Sequence, residues 1–334
     1  MKAKLKPVSE QVIVITGASS GIGLATAREA AKRGARVVLN SRDETDLGTA
    51  AEGIRAQGGQ VAVVVGDIAD FATAERIAST AVGEFGGFDT WINNAGVSIY
   101  GFIRDVTLED ARRLFETNYW GVVNGSLAAF PHLRRAGGAL INIGSVLSET
   151  GYPLQGHYAA SKHAVKGFTD SLRLEIEKED LPISVTLIQP AAIDTPYPQH
   201  ARNYLASEPT HVPPVYAPQV VADAILACAQ SSHRNVRVGG GAKMLTVTEK
   251  TAPGLGDRMK MSHFEGQHAD RPPLDDDTLY APRPGDGRVR GQYEGHVMKS
   301  SLYTKAALNP MAALIGVAAL GVGLAVALRA GSED

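Results

Sequence analysis

Cysteine is almost missing from this chain: Cys228 is the only one in 334 residues. No internal disulfide can form, and a reducing compartment suits such a chain. Cys228 falls in the apolar pattern Val220–Ala229, so it reads as a small buried hydrophobe. Neither sign of charge prevails: 33 Lys and Arg face 35 Asp and Glu, scattered rather than clustered. That balance argues against a nucleic acid or another broad polyanion as partner. Met1–Glu10 is short and basic and has no apolar stretch, so no secretory signal is expected there. The helical metal motif His-Glu-x-x-His is also missing. His263, Glu265 and His268 lack its spacing and are expected to be ordinary surface residues, with no metal site. No internal repeat is apparent.

What is present is a regular alternation of short apolar runs and longer helical patterns. Strands are expected at 11–16, 35–40, 60–66, 88–93, 139–144, 183–189 and 235–238. Helices are expected at 22–33, 44–57, 70–85, 107–135, 157–179 and 218–231. Such alternation implies an α/β fold, a doubly wound and mostly parallel sheet with helices on both faces. The expected catalytic and nucleotide-binding domain is 1–240, followed by a short helical extension over 241–264.

The first strand breaks into Thr16-Gly17-Ala18-Ser19-Ser20-Gly21-Ile22-Gly23 and then a helix. Strand, glycine-rich turn and helix form the dinucleotide-binding arrangement. Glycines let the backbone approach a pyrophosphate, and the helix N-terminus offers free N–H groups. Further on, Tyr158 and Lys162 stand four residues apart, one helical turn, so a phenol and an ammonium share a face. A lysine cation beside a phenol favours the phenolate and brings a pKa of about 10 toward the working range. Ser145 ends the apolar run Ala139–Gly144, where its hydroxyl can donate to a carbonyl oxygen as charge builds there.

Gly-x-x-x-Gly-x-Gly, Tyr-x-x-x-Lys and the preceding serine together resemble the short-chain dehydrogenase/reductase family, over residues 10 to about 240. Asn93-Asn94-Ala95-Gly96, Asn118, Asp67 and Pro190-Ala191-Ala192-Ile193-Asp194-Thr195 add to the likeness. Ala191 departs from the family's usual glycine. The resemblance implies seven strands in the order 3-2-1-4-5-6-7, and Tyr158, Lys162, Ser145 and Asn118 as the catalytic set. It implies cofactor contacts from Gly17, Ser19, Ser20, Gly21, Ile22, Gly23, Asp67, Ile68, Asn94, Ala95, Gly96, Tyr158, Lys162, Ile193 and Thr195. It also implies a dimer or tetramer. At the end of the second strand the family's NAD-preferring members carry an acid; here Ser41 stands there and Arg42 follows. A carboxylate would repel a 2′-phosphate, whereas Arg42 can pair with one, so NADP is the expected cofactor. Residues 191–216 form a long connection, which the family closes over its substrate. Ser98, Tyr100, Val146, Leu147, Tyr152, Leu154, Gln155 and Tyr197 are expected to line a mainly apolar pocket.

These residues predict an NADP(H)-dependent oxidoreductase that interconverts a carbonyl and a secondary alcohol. The alternatives are a catalytically silent NADP(H)-sensing or membrane scaffold protein, and an epimerase or dehydratase on the same fold. The intact Ser145, Tyr158 and Lys162 argue against the first. The glycine pattern argues against the second. Residues 265–300, rich in Pro, Gly and charge, read as a flexible or extended linker. After it, 308–329 reads as a hydrophobic helix. Its uncharged run Met311–Leu328 would span about 27 Å at ~1.5 Å per residue, close to a ~30 Å bilayer core. It is expected to anchor a cytoplasmic catalytic domain to a membrane. The alternative is a helix buried in an oligomer contact or against the domain.

Overall fold

Val12–Thr16 (β1) is buried at every residue, and its side chains alternate between two cores. Ile13 and Ile15 enter one core with Leu24, Leu47 and Ile225; Val12 and Val14 enter the other with Ile77, Trp91 and Leu133. A strand apolar on both faces belongs in the middle of a parallel sheet covered by helices on each side. The computed structural model describes residues 3–309 and has this form. The other strands of the main sheet are β2 (Arg36–Ser41), β3 (Val61–Val65), β4 (Thr90–Asn93), β5 (Gly138–Ile143), β6 (Ile183–Pro190) and β7 (Asn235–Val238). Their order is β3-β2-β1-β4-β5-β6-β7, all parallel, as the family resemblance implies.

The helices between strands are α1 (Gly21–Lys32), α2 (Glu44–Ala56), α3 (Phe71–Phe85), α4 (Leu108–Phe115), α5 (Gly121–Ala136), α6 (Gly156–Lys178) and α7 (Pro218–Gln230). Several start at side-chain caps that satisfy a free N–H. Asp43 accepts from Asp46 N at 2.9 Å, Asp70 from Ala72 N at 3.0 Å, and Thr107 from Asp110 N at 3.1 Å. One helix was expected over 107–135. The structure instead splits it at a π-helical turn, Glu116–Trp120, which contains Asn118. A π turn inserts one residue without disturbing the apolar stripe on either side, so periodicity does not reveal it.

Beyond β7 the chain adds α8 (Gly240–Thr251) and α9 (Pro253–Ser262). Lys260 on α9 is 6% exposed and donates to Glu249 on α8 at 2.7 Å and to Thr150 at 2.8 Å, which ties the pair to the loop after β5. The stretch expected as a linker is laid along the domain by specific contacts. Leu279 is fully buried with Val97, Ile99 and Leu114; Val297–Met298 pairs with Val215–Tyr216; and Arg271 bridges Glu208 and Glu294. The apolar run Met311–Leu328 lies outside the described residues. Among those described, no helix is long and apolar enough to cross a membrane.

Leu279→Ala tests whether the segment is bound. Truncating a buried leucine costs about 2–5 kcal/mol, capped here by the docking free energy of the segment itself. Limited proteolysis should cut within 270–295 at least about tenfold faster in the variant, with the main unfolding transition nearly unmoved. Equal rates in both proteins would mean that the segment is already loose.

Candidate active site

The ends of β1 and β4 meet where the strand order reverses, the place where open α/β sheets bind ligands. Thr16 Oγ1 accepts from Asn94 N at 3.0 Å and Ala95 N at 3.1 Å, and Asn94 Nδ2 donates to the carbonyls of Thr16 at 2.9 Å and Gly17 at 3.0 Å. Gly17 has φ +65°, and a Cβ there would stand 2.7 Å from Ala95 Cα. A Cβ on Gly23 would overlap the Gly17 carbonyl, so both positions need glycine. Ser20 precedes α1, and Ser19 Oγ accepts from Ser41 Oγ at 2.8 Å across the turn.

These elements open onto a cavity of about 430 Å³. Of the expected cofactor residues, Gly17, Ser19, Ser20, Gly21, Ile22, Arg42, Asp67, Ile68, Asn94, Ala95, Gly96, Tyr158, Lys162, Ile193 and Thr195 line it. Gly23 does not reach its wall. The glycine cradle, the N-terminus of α1 and this length of lining fit a dinucleotide. Asp67 accepts from Ala69 N and is paired with Arg113. Arg42 gives its guanidinium to backbone carbonyls of Thr278, Leu279 and Tyr280, an engagement that its sequence position did not suggest.

Ser145, Tyr158 and Lys162 share the same cavity. Ser145 sits just past β5, where its Oγ accepts from Leu147 N at 3.1 Å. Lys162 is 4% exposed, donates to the Ile143 carbonyl at 2.9 Å, and holds Nζ 5.7 Å from the centre of the Tyr158 ring. Burial raises the Tyr158 phenol to about 12, with hydrogen bonding to Ser145 and Tyr197 pulling the other way. Burial lowers the Lys162 ammonium to about 8. At neutral pH the phenol therefore keeps its proton and the lysine is still mostly charged. Asn118 lies behind the wall: its Oδ1 accepts from Val97 N at 2.8 Å and its Nδ2 donates to Val97 O and Ser161 Oγ. A Cβ on Gly96 would be 3.3 Å from Asn118 Oδ1 and 3.7 Å from Lys162 Nζ, so Gly96 lies beside both groups.

At the other end Ser98, Tyr100, Val146, Leu147, Tyr152, Gln155 and Tyr197 line the cavity as expected. Leu154 instead packs with Tyr100 and Ala201, outside the wall. Residues that carry no motif complete the lining: His211, Met244, Leu245, Met259 and His263. His263 is not an ordinary surface residue. Its Nδ1 is 3.0 Å from the Tyr152 hydroxyl, because α9 folds back over the loop after β5. His211 stacks on Tyr197 at 6.1 Å, and its Nε2 is buried without a partner. Only tertiary packing brings these residues to the site; no local spacing marks them. Among the described residues no group of three or more His, Cys, Asp or Glu is arranged to hold a metal ion.

A dinucleotide cradle beside Ser145, Tyr158 and Lys162 in one cavity defines an oxidoreductase site of the α/β class. A family profile described as short chain dehydrogenase matches residues 11–205. An uncharacterized oxidoreductase, YxnA, of Bacillus subtilis (strain 168) is 44% identical over 325 residues, covering 96% of this chain and 91% of that protein. Dehydrogenase/reductase SDR family member 7B of Bos taurus is 36% identical over 267 residues, covering 76% and 82%. In fold the chain is similar to an alcohol dehydrogenase from the archaeon Thermococcus sibiricus complexed with 5-hydroxy-NADP. The TM-score is 0.60 at 24% identity, over 68% of this chain and 95% of that one. The chain belongs to the short-chain dehydrogenase family, enzymes that act on CH–OH groups with NAD(P).

Lys162 makes a prediction about pH. Its folded-state pKa lies below the ordinary 10.5, so the unfolded chain binds more protons between pH 8 and 10.5. The burial penalty is thus fully present below pH 8 and fades as pH rises to 10.5. Measured on the protein without cofactor, the stability gained by Lys162→Met relative to wild type should shrink by about 3 kcal/mol across that window. A pH-independent difference would mean that the ammonium is not desolvated.

Proposed function

We propose that the protein is an NADP(H)-dependent carbonyl reductase or secondary-alcohol dehydrogenase for an apolar substrate of small to medium size. The observation that carries this reading is the single cavity shared by the glycine cradle, Ser145, Tyr158 and Lys162. NADP(H) would lie from the cradle to Lys162, held by the α1 N-terminus, Asn94, Ile193 and Thr195, and when bound it supplies or accepts the hydride. Ser145 donates a hydrogen bond to the substrate oxygen. In reduction the neutral Tyr158 phenol gives its proton to that oxygen, and the Lys162 cation stabilises the phenolate left behind. Asn118 keeps Gly96 and Val97 in register beside Lys162 and supports the proton relay to it. Tyr100, Tyr152, Tyr197, Leu147, Met244 and Met259 give the substrate end an apolar and aromatic character, which supports a hydrophobic substrate.

Ser41 at the end of β2 supports NADP(H), because no carboxylate there repels the 2′-phosphate. One observation favours NAD(H) instead: Asp43 Oδ2 is buried without a partner and can accept from a ribose hydroxyl. Exposed Trp120, Leu127 and Leu174 support a dimer or tetramer formed across α5 and α6.

Tyr158→Phe should lower kcat by at least about 10²-fold while NADPH binding is kept, measured with a panel of ketones. Near-normal turnover in that variant would remove the proposed mechanism. Ser41→Asp should shift the NADPH-to-NADH ratio of Kd toward NADH, because it adds repulsion as well as a ribose acceptor. If wild type already binds NADH more tightly, Asp43 is the reader and the cofactor assignment is reversed.

A further inference from the structure

Two guanidiniums, Arg42 and Arg283, line the cavity, and Arg283 keeps a donor without a partner. Arg42 Nη1 donates to the Leu279 and Tyr280 carbonyls at 3.2 Å each, and its Nη2 donates to Thr278. These carbonyls belong to residues 277–291, a strap across the cofactor end of the cleft. The strap is pinned on both sides. Gly285 N donates to Asp46 Oδ1 at 3.2 Å, and Gly21 N, at the start of α1, donates to the Arg288 carbonyl at 3.0 Å.

Arg283 stands between the residues clamped to Arg42 and the glycine held by Asp46. It lines the same cavity as Ser19, Ser41 and Asp67. Its Nη1 is buried with no hydrogen-bond partner. Asp276 lies 3.3 Å from its Nε and Asp286 3.9 Å from its Nη1, so its charge is balanced while the Nη1 donor is left over. The neighbouring carboxylates have partners of their own: Asp46 takes the strap N–H, and Asp286 takes His200 at 2.9 Å and Arg288 at 2.8 Å. A guanidinium that lines a nucleotide cavity and keeps one donor unused fits a phosphate, which its planar fork can grip at two oxygens once Nη1 turns toward the cavity.

We propose that the strap reads the 2′-phosphate of NADP(H) through Arg283, and that Arg42 serves to hold the strap in place. This rests on the NADP(H) reading above and moves the phosphate contact from the strand end to the C-terminal extension. Arg283 lies outside the family match at 11–205, so the discriminating cation belongs to the added segment rather than to the shared domain.

The test is equilibrium binding of NADPH and of NADH to the full chain, followed by cofactor fluorescence. Arg283→Gln should raise the Kd for NADPH at least about tenfold and leave that for NADH within about twofold. Arg283→Lys should recover part of the loss. Arg42→Gln should raise both Kd values alike and speed proteolysis within 277–291. A wild type that prefers NADPH, with an Arg283→Gln variant that loses both cofactors equally or neither, overturns the strap assignment alone. So does an Arg42→Gln variant that loses only NADPH. A wild type without NADPH preference overturns the cofactor reading and this assignment together. If Arg283→Gln does not fold by circular dichroism, Arg283→Lys decides, since loss of the fork alone should still weaken NADPH more than NADH.

Discussion

Thr16 and Asn94 close the ends of two adjacent strands against each other, and the site depends on that closure. One hydroxyl takes two N–H groups from the β4 end while one amide takes two carbonyls from the β1 end. The exchange fixes Gly17 against Ala95 with no room for a side chain and aims the start of α1 at the cleft. A nucleotide needs bare backbone N–H groups at fixed positions, and hydrogen bonds between strand ends supply that rigidity without filling the space.

A second polar chain does the same for Tyr158 and Lys162. Trp91 Nε1 donates to Asn93 at 2.8 Å, Asn93 donates to Asn142 at 2.8 Å, and Asn142 donates to Thr169 at 2.9 Å. It runs from β4 through β5 to α6, the helix that carries Tyr158 and Lys162. Every link is buried, so a shifted α6 would strand polar groups in a dry core. The same dryness sets the chemistry. It keeps the phenol protonated and weakens the ammonium, which places the two groups in complementary states at neutral pH.

The C-terminal extension contributes at both ends of one cavity. The α8–α9 pair, tied down through Lys260, brings Met244, Met259 and, beside Tyr152, His263 to the cavity wall. The segment over 277–291 brings Thr278, Pro282, Arg283 and Asp286 to the same wall. The shared domain and the added segment together line that cavity. The similarity to the Bacillus subtilis oxidoreductase covers 96% of this chain and so takes in most of this extension.

Sequence alone determined the sheet, its helices and the motif residues, because each depends on chemistry within a few neighbours. Apolar period, caps, glycines at the first turn, and Tyr158 one turn before Lys162 all lie close together in the chain. Strand bounds of the seven-stranded sheet differ from the expected ones by at most two residues for that reason. The π turn around Asn118 escaped because it leaves the apolar stripe intact on both sides. The path of 265–300 escaped because Pro, Gly and charge mark the absence of a regular element, not the absence of partners. Whether such a segment is bound depends on carbonyls and carboxylates matching groups more than 200 residues away, as Thr278 to Tyr280 match Arg42. The occupation of Arg42, the unused donor of Arg283 and the turn of His263 toward Tyr152 were decided only by the tertiary structure. Each is a contact between distant parts of the chain, and local spacing carries no record of it.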